Sequence, residues 1–234
     1  MTYSRELSIL RDHISPTVKG LMDNHGAFIA GGAVTSVFSS ERINDLDLFF
    51  PTAEAADAAI ETISQKDRTA STDAAISFVS DKHRVQLTRV KTGDPSSVIG
   101  SFDFTICQAA FNGSDFLFSP DFFQHLAQRR LVYNINAEYP LCSLFRTRKF
   151  IQRGYRFSGI EAIKLGLCLN NLKIRTYADL RKQLLGIDTL LLADLTASLK
   201  GEEEKTYEFN DFTATLEGWL ERLETLTGSE EKEA

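Results

Sequence analysis

Long apolar runs are the first thing the 234-residue chain lacks. No stretch of about 18 apolar residues occurs, which excludes an ordinary membrane-crossing helix. The opening residues, MTYSRELSILRDHIS, mix charged and apolar side chains without the apolar region of a signal peptide, so the expected compartment is the cytoplasm. Cysteine is scarce. Cys107, Cys142 and Cys168 are odd in number and carry neither a pairing pattern nor metal-ligand spacing, which argues against a disulfide framework and for small buried side chains in a reducing compartment. His13 and His25 have no candidate ligands near them in sequence. No Walker-type lysine motif exists, so the chain is not a P-loop enzyme. No Gly-x-Ser-x-Gly elbow exists either, which removes the usual signature of an α/β hydrolase. Internal repeats and Gly/Ser linkers are also missing.

Net positive charge is missing from both ends. The net charge is −6, but residues 1–128 carry ten Lys/Arg against sixteen Asp/Glu, and residues 183–234 carry four against thirteen. Between them, residues 129–182 carry twelve Lys/Arg against three Asp/Glu. A basic middle in an acidic chain is what a polyanion-binding face needs, although lysines and arginines on exposed helices give the same count. With 43% apolar and 25% charged residues, the composition is that of a globular protein with one large or two small domains.

The most informative stretch is FIAGGAVTSVFSSERINDLDLFF, from Phe28 to Phe50. An apolar run at 27–30 suits a short buried strand, and Gly31-Gly32 then makes a turn that a ligand can approach closely. A helix starting at Ala33 presents N–H groups suited to phosphate. After a twelve-residue spacer from Gly32 comes Asp45-Leu46-Asp47, leading into Leu48-Phe49-Phe50 and a stop at Pro51. On a strand, Asp45 and Asp47 share one face while Leu46 and Leu48 face the core. Two carboxylates about 4 Å apart repel by about 4 kcal/mol at an effective dielectric near 20, and a divalent cation removes that repulsion.

The order Gly-Gly, spacer, Asp-x-Asp on a strand resembles the DNA polymerase β-like nucleotidyltransferase superfamily. It looks closest to the head domain of the tRNA nucleotidyltransferase and poly(A) polymerase branch. The resemblance spans roughly residues 25 to 155 and includes Asp103-Phe104-Thr105, similar to the Asp-Phe-Thr segment of those enzymes. It implies a third carboxylate, Asp103, that joins Asp45 and Asp47 around two Mg²⁺ (or Mn²⁺) ions. Thr35-Ser36 stands where that branch has Arg-Asp, and Ser101-Phe102 where it has Arg-Arg, so the resemblance points to the superfamily more firmly than to one substrate.

The predicted fold is α+β: a nucleotidyltransferase-type mixed sheet with flanking helices over residues 1–135, a helical domain over 136–228, and a disordered tail over 229–234. Helical spacing covers 3–24, with Pro16 able to split it. A surface helix follows Thr52, and strands at 74–80 and 83–90 are joined by a turn at Asp81-Lys82. On the second of these, Arg84 and Arg89 are within reach of a triphosphate, but the preferred reading is solvated edge positions. A short helical turn starts at Pro95. The run 102–111 reads as a strand with Asp103 and Thr105 on one face, and 115–118 as a return strand. Ser119 is the expected cap of a helix to about Gln128, LVYNI (131–135) reads as a strand, and further helices are expected at 140–154, 158–170, 176–185, 188–199 and 206–226. Ser158 and Glu161 form a capping-box pattern.

The expected chemistry is transfer of a nucleoside monophosphate from a nucleoside triphosphate, ATP among them, to an acceptor hydroxyl, with release of pyrophosphate. Asp45, Asp47 and Asp103 are the candidate catalytic and metal-holding residues. Gly31, Gly32 and Thr35, with Arg146, Lys149 and Arg153 at i, i+3 and i+7, are the candidate nucleotide-binding residues. By the resemblance the acceptor is an RNA 3′ end, tRNA included, approached through the basic region 129–182. Two alternatives stand beside this: a nucleotidyltransferase acting on a protein or small molecule, and a non-catalytic nucleotide or nucleic-acid binding module.

Overall fold

The computed structural model describes residues 3–185, 205, 206 and 217. Strands β1 (Phe28–Ala30), β2 (Asp45–Phe50), β3 (Arg68–Ser71), β4 (Ala75–Ser80), β5 (His83–Thr92), β6 (Ala109–Phe111) and β7 (Phe116–Phe118) form one mixed sheet in the order β3-β4-β5-β2-β1-β6-β7. Only β2 and β5 run parallel; every other neighbouring pair is antiparallel. Helices α1 (Ser4–Arg11), α2 (Pro16–His25), α3 (Gly32–Ser39), α4 (Ala53–Thr62), α5 (Pro95–Gly100) and α6 (Phe122–Ala127) are interleaved with the strands. Helices α7 (Pro140–Gln152), α8 (Gly159–Asn170) and α9 (Tyr177–Gln183) follow them. The fold is α+β.

Period-2 alternation on β2 decides which face of the sheet is core. Leu46, Leu48 and Phe50 are fully buried. They pack in one cluster with Ile29, Val85 and Leu87 of the neighbouring strands, with Val34 and Val37 of α3 and with Ala56 and Ile60 of α4. Burying a side chain of this size stabilises by roughly 1.5–3 kcal/mol, so a one-residue slip of β2 would forfeit several such terms at once. Asp45, Asp47 and Phe49 therefore occupy the other face.

Local signals account for several boundaries. Pro16 does split the first helical stretch: the Ser15 hydroxyl accepts from the Val18 N–H at 3.1 Å, and Pro16 takes the first helical position, where no N–H is needed. The Thr52 hydroxyl caps α4 in the same way. Asp81 and Lys82, with φ of 47° and 70°, turn β4 into β5.

Other expectations give way. Residues 102–111 are not one strand: Thr105–Cys107 forms a 3₁₀ turn and only Ala109–Phe111 pairs in the sheet. LVYNI contributes a single isolated bridge, Tyr133 to Phe104. The helix after Pro120 begins at Phe122 with Asp121 as N-cap, and the buried Ser119 hydroxyl has no hydrogen-bond partner. Ser158 is the N-cap residue of α8, but its side chain makes no capping bond and no box closes, because Glu161 is buried and accepts from the Tyr133 N–H (2.8 Å) and Lys164 Nζ (2.9 Å). The capping box forms instead at Thr176 and Asp179 on α9. Strand β3 was not foreseen. The helices expected at 188–199 and 206–226 and the tail lie, except for residues 206 and 217, outside the described residues.

Candidate nucleotide site

Register brings the glycine turn and the aspartate pair to one place. β1 runs antiparallel to β2 with Phe28 opposite Phe49 and Ile29 opposite Leu48, so the continuing register sets Ala30 beside Asp47 and releases the Gly31-Gly32 turn alongside Asp45 and Asp47. Both aspartates are half-buried. At the far end of the same face, Phe28, Phe49, Val98, Ile99 and Phe102 form an apolar seal. The carboxylates thus lie at the open end of a face whose other end is closed.

The two glycines differ. Gly31 has φ 80° and ψ −130°, its N–H donates to the Ala109 carbonyl (2.9 Å), and a Cβ there would meet the Phe102 ring at 3.4 Å. Gly32 opens α3, and a Cβ on it would meet nothing within 4 Å. There is room for a ligand at the head of the helix. Thr35 is 4% exposed, and its hydroxyl lies 2.6 Å from the Ile106 carbonyl and 3.1 Å from that of Gly31. In this structure it ties α3 to the Thr105–Cys107 turn rather than facing a ligand.

Asp103 sits between α5 and that turn, 7% exposed. The segment leading to it is clamped by Asn134, whose Nδ2 donates to the carbonyls of Gly100 (2.8 Å) and Phe102 (3.0 Å), while the Asp103 carbonyl accepts from the Asn134 N–H at 2.7 Å. Arg146 of α7 brings Nη1 to 3.3 Å from Asp103 Oδ1, yet the pair is not aligned as a hydrogen bond, and this buried oxygen has no hydrogen-bond partner. Among the described residues, no three His, Cys, Asp or Glu side chains are grouped as a metal ion would need. The expected three-carboxylate cluster is therefore not assembled. Asp103 faces a guanidinium instead.

Charge around Arg146 links the two carboxylate positions. Burial disfavours its charge, but Asp103, then Cys107, Cys142 and Asp47, more than offset this and raise its pKa. Burial pushes the Cys107 thiol up to about 12, with Arg146 first, then Lys149 and Arg153, pulling the other way. Arg146 reaches the Thr105–Cys107 turn directly, with Nη2 3.6 Å from Cys107 Sγ. Lys149 is exposed, and Arg153 caps the end of α7 and reaches Glu41 at 3.9 Å. Burial also drives Cys142 up to about 12, so both buried thiols favour the protonated form.

Arg84 and Gln86 were missed as site residues. In the parallel β2–β5 register Arg84 stands beside Asp45 and Gln86 beside Asp47, and β5 is an interior strand, not an edge. The alternation within HRVQLTRV put Arg84 on the polar face, but its neighbour depends on strand order. Arg89, by contrast, is exposed and paired with Asp57 at 2.7 Å.

Part of the basic middle is spent inside the molecule. Arg129 and Arg153 both reach Glu41, Arg181 reaches Asp73, Lys164 reaches Glu161 and Arg146 reaches Asp103. Three of those five cations, Arg146, Arg153 and Arg181, run from the later residues to acidic residues of the sheet portion, so this charge helps hold the later helices against the sheet.

With the geometry described, comparison with known proteins places the chain. Residues 4–129 match the model of the Gabija anti-defense 2 family. The chain belongs to that family. It is 31% identical over 215 residues to Gabija anti-defense 2 of Bacillus phage SPbetaL7, an alignment covering 90% of this chain and 52% of that protein. The chain thus spans about half the length of this curated Gabija anti-defense 2 relative. Solved structures of the same fold include a Thermotoga maritima CCA-adding enzyme complexed with tRNA (TM-score 0.53, 16% identity, 83% of this chain and 53% of that one) and a CCA-adding enzyme with CTP (TM-score 0.53, 17% identity, 85% and 55%). A tRNA-processing enzyme in an apo form aligns with 89% of this chain and 61% of its own (TM-score 0.52, 14% identity). At these identities the likeness is one of fold. Among the described residues, no helix is long and apolar enough to cross a membrane.

Proposed function

We propose that this Gabija anti-defense 2 family member is a metal-dependent nucleotidyltransferase whose activity serves the counter-defence role in the family's name. The observation that carries the reading is the placement of the Gly31-Gly32 turn and the open head of α3 beside Asp45 and Asp47 on one sheet face. The residues fit a divalent cation in part. Asp45 and Asp47 supply two carboxylates on one face, Mg²⁺ is commonly held by one or two carboxylates plus substrate phosphates, and Asp103 Oδ1 is a buried oxygen lacking a hydrogen bond. Bound there, Mg²⁺ (or Mn²⁺) supplies charge neutralisation of the triphosphate and a lowered pKa for the attacking hydroxyl. The chain's own groups do the rest. N–H groups at the head of α3 hold phosphate oxygens, and the cationic side of α7 balances their charge. The Phe28, Phe49 and Phe102 seal keeps water from the far end of the face. The acceptor is an RNA 3′ end, reached through cations of residues 129–182 that are not tied to Glu41, Asp73 or Glu161.

A second reading is favoured by one observation, the Arg146 guanidinium standing on Asp103 where a third metal ligand is expected. On that reading the protein is a nucleotide-binding module without catalysis. The deciding experiment incubates the protein with Mg²⁺, each α-labelled nucleoside triphosphate and total RNA, with Asp45→Ala/Asp47→Ala as control. Label on a discrete RNA that requires both aspartates is the expected result. Label on a protein or small molecule would retain the chemistry and replace the acceptor. An absence of label, with nucleotide binding unchanged in the double variant, would overturn the enzyme in favour of the module.

A further inference from the structure

Arg130 and Arg156 stand apart from other arginines of the basic region. Arg129, Arg146, Arg153 and Arg181 pair with carboxylates, whereas among the described residues Arg130 and Arg156 are in no ion pair. Their guanidinium groups donate only to neutral acceptors at long range: Arg130 Nη1 to Gln128 Oε1 at 3.4 Å, and Arg156 Nη2 to the Gln128 carbonyl at 3.3 Å. The backbone nevertheless holds the two residues side by side. They form a parallel bridge, in which the Leu131 N–H donates to the Arg156 carbonyl (3.0 Å) and the Arg156 N–H to the Arg129 carbonyl (2.8 Å). Like charges set beside each other across such a pairing repel, and an anion between them removes the repulsion.

A cavity of about 410 Å³ lies against this pair, lined by the two arginines with Leu131, Val132, Ser158 and Glu161. Glu161, 4% exposed, is not their counter-charge, because its Oε2 accepts from the Tyr133 N–H and its Oε1 from Lys164 Nζ. Ser158 opens α8 without a capping bond, so the helix leaves its hydroxyl unused. No residue of the glycine turn, the aspartate pair or the Asp103 segment lines this cavity.

We propose that this cavity is a second anion site, separate from the glycine turn, which takes the phosphate group of a nucleotide, free or within a nucleic-acid strand. One carboxylate satisfies a single guanidinium fork, whereas a phosphate has oxygens enough for two forks side by side. The Ser158 hydroxyl supplies a further donor. Water occupies about 30 Å³ per molecule in the liquid, so a phosphate of a few such volumes leaves most of the cavity for the attached sugar. Half-buried Val132 gives that part an apolar wall. The inference is independent of the nucleotidyltransferase reading, since it needs neither metal nor the aspartates.

The test is calorimetric titration of the full chain with inorganic phosphate, AMP, adenosine and a short single-stranded oligoadenylate. EDTA is present throughout, which keeps any metal-dependent site silent. Arg130→Gln/Arg156→Gln is compared with Lys173→Gln/Arg175→Gln, which removes the same charge from exposed positions of the same basic region. The arginine pair is expected to weaken the phosphate-bearing probes by at least about tenfold and the control pair by less than about twofold, with adenosine unbound by either. Arginine-dependent binding of AMP and phosphate assigns the cavity to a free nucleotide; the same dependence for the oligoadenylate alone assigns it to a strand, and both sustain the proposal. Equal losses in the two double variants would reduce the effect to diffuse charge and overturn it. So would AMP binding that survives in the arginine variant but disappears in Gly32→Ala, which places the phosphate at the head of α3. Thermal melts establish that each variant is folded. Should the arginine double variant not fold, Arg130→Gln alone decides, since unchanged affinity for every probe contradicts a phosphate held by the pair.

Discussion

Adjacent glycines at the head of α3 carry separate duties, and single substitutions should separate them. Gly31, at φ 80° and ψ −130°, occupies a conformation that a residue with a Cβ tolerates poorly, at a cost of roughly 1–3 kcal/mol, with Phe102 as an added obstacle. Gly31→Ala should therefore lower the denaturation midpoint. Gly32 has open space where a Cβ would go, and alanine is the better helix former, so Gly32→Ala should keep or slightly raise stability. The same methyl would stand where a phosphate approaches the first N–H groups of the helix, so nucleotide affinity should drop several-fold. Paired thermal melts and nucleotide titrations check both. Loss of nucleotide affinity in neither variant would place the phosphates elsewhere. Thr35 shows how the residue scale misleads: its position after Gly-Gly suggested a ligand contact, and only the fold reveals the Ile106 carbonyl 2.6 Å away.

At the scale of elements, legibility followed the range of the signal. The β4–β5 hairpin, the split at Pro16, and helices α4, α7 and α9 are governed by residues within one turn of their own ends, and these were readable. So were Asp45 and Asp47, because alternation on β2 is local. The stretch 102–111 was not, since its backbone partners come from far along the chain: Thr105 N–H donates to the Val132 carbonyl, and Asn134 clamps 100–102. The strand that would have aligned Asp103 with the pair is replaced by a turn on a loop, so of the two grounds for the triad, the resemblance and the alternation, the alternation does not exist there. The same turn carries a pH dependence. Thr105 Oγ1 lies 2.8 Å from Nδ1 of His125, whose pKa burial lowers. The unfolded chain keeps an ordinary histidine pKa near 6.5, so below about that pH it takes up a proton that the folded protein resists. Stability should fall as pH drops from about 7.5 to 5. His83, lowered by burial and then by His13, acts in the same sense. Urea midpoints for wild type and His125→Gln share the His83 contribution, so the difference isolates His125. The variant should lose less stability over that interval, and parallel curves would remove His125 from the account.

For the whole molecule, the change from strands to helices near residue 136 is a change of architecture laid over a shared core. Phe104, fully buried, makes edge contacts with Tyr133, Phe150 and Phe157 at centroid distances of 6.1, 5.6 and 6.5 Å. Phe150, Tyr155 and Leu165 belong to the same cluster as Leu46 and Leu48 beneath the aspartate pair. Glu161 of α8 satisfies the Tyr133 N–H, and Tyr177, Leu180 and Leu184 pack with Ala74 of the sheet portion. That continuity fixes α7, and with it the backbone of Arg146, relative to Asp103. Two experiments follow. Phe150→Ala should cost roughly 3–5 kcal/mol, as expected for a buried phenylalanine, and lower stability without changing the aspartates. Cutting the chain after Ile135 removes Phe150, Phe157 and Glu161 together, leaves Phe104 and Leu131 uncovered, and strands the buried Tyr133 N–H without its acceptor. The piece 1–135 should therefore show no cooperative melt by circular dichroism. A cooperative transition within a few degrees of the whole protein would mean that the sheet portion folds alone, and that the later helices merely dock on it. In that case the Arg146–Asp103 contact would report how the helices sit on the sheet.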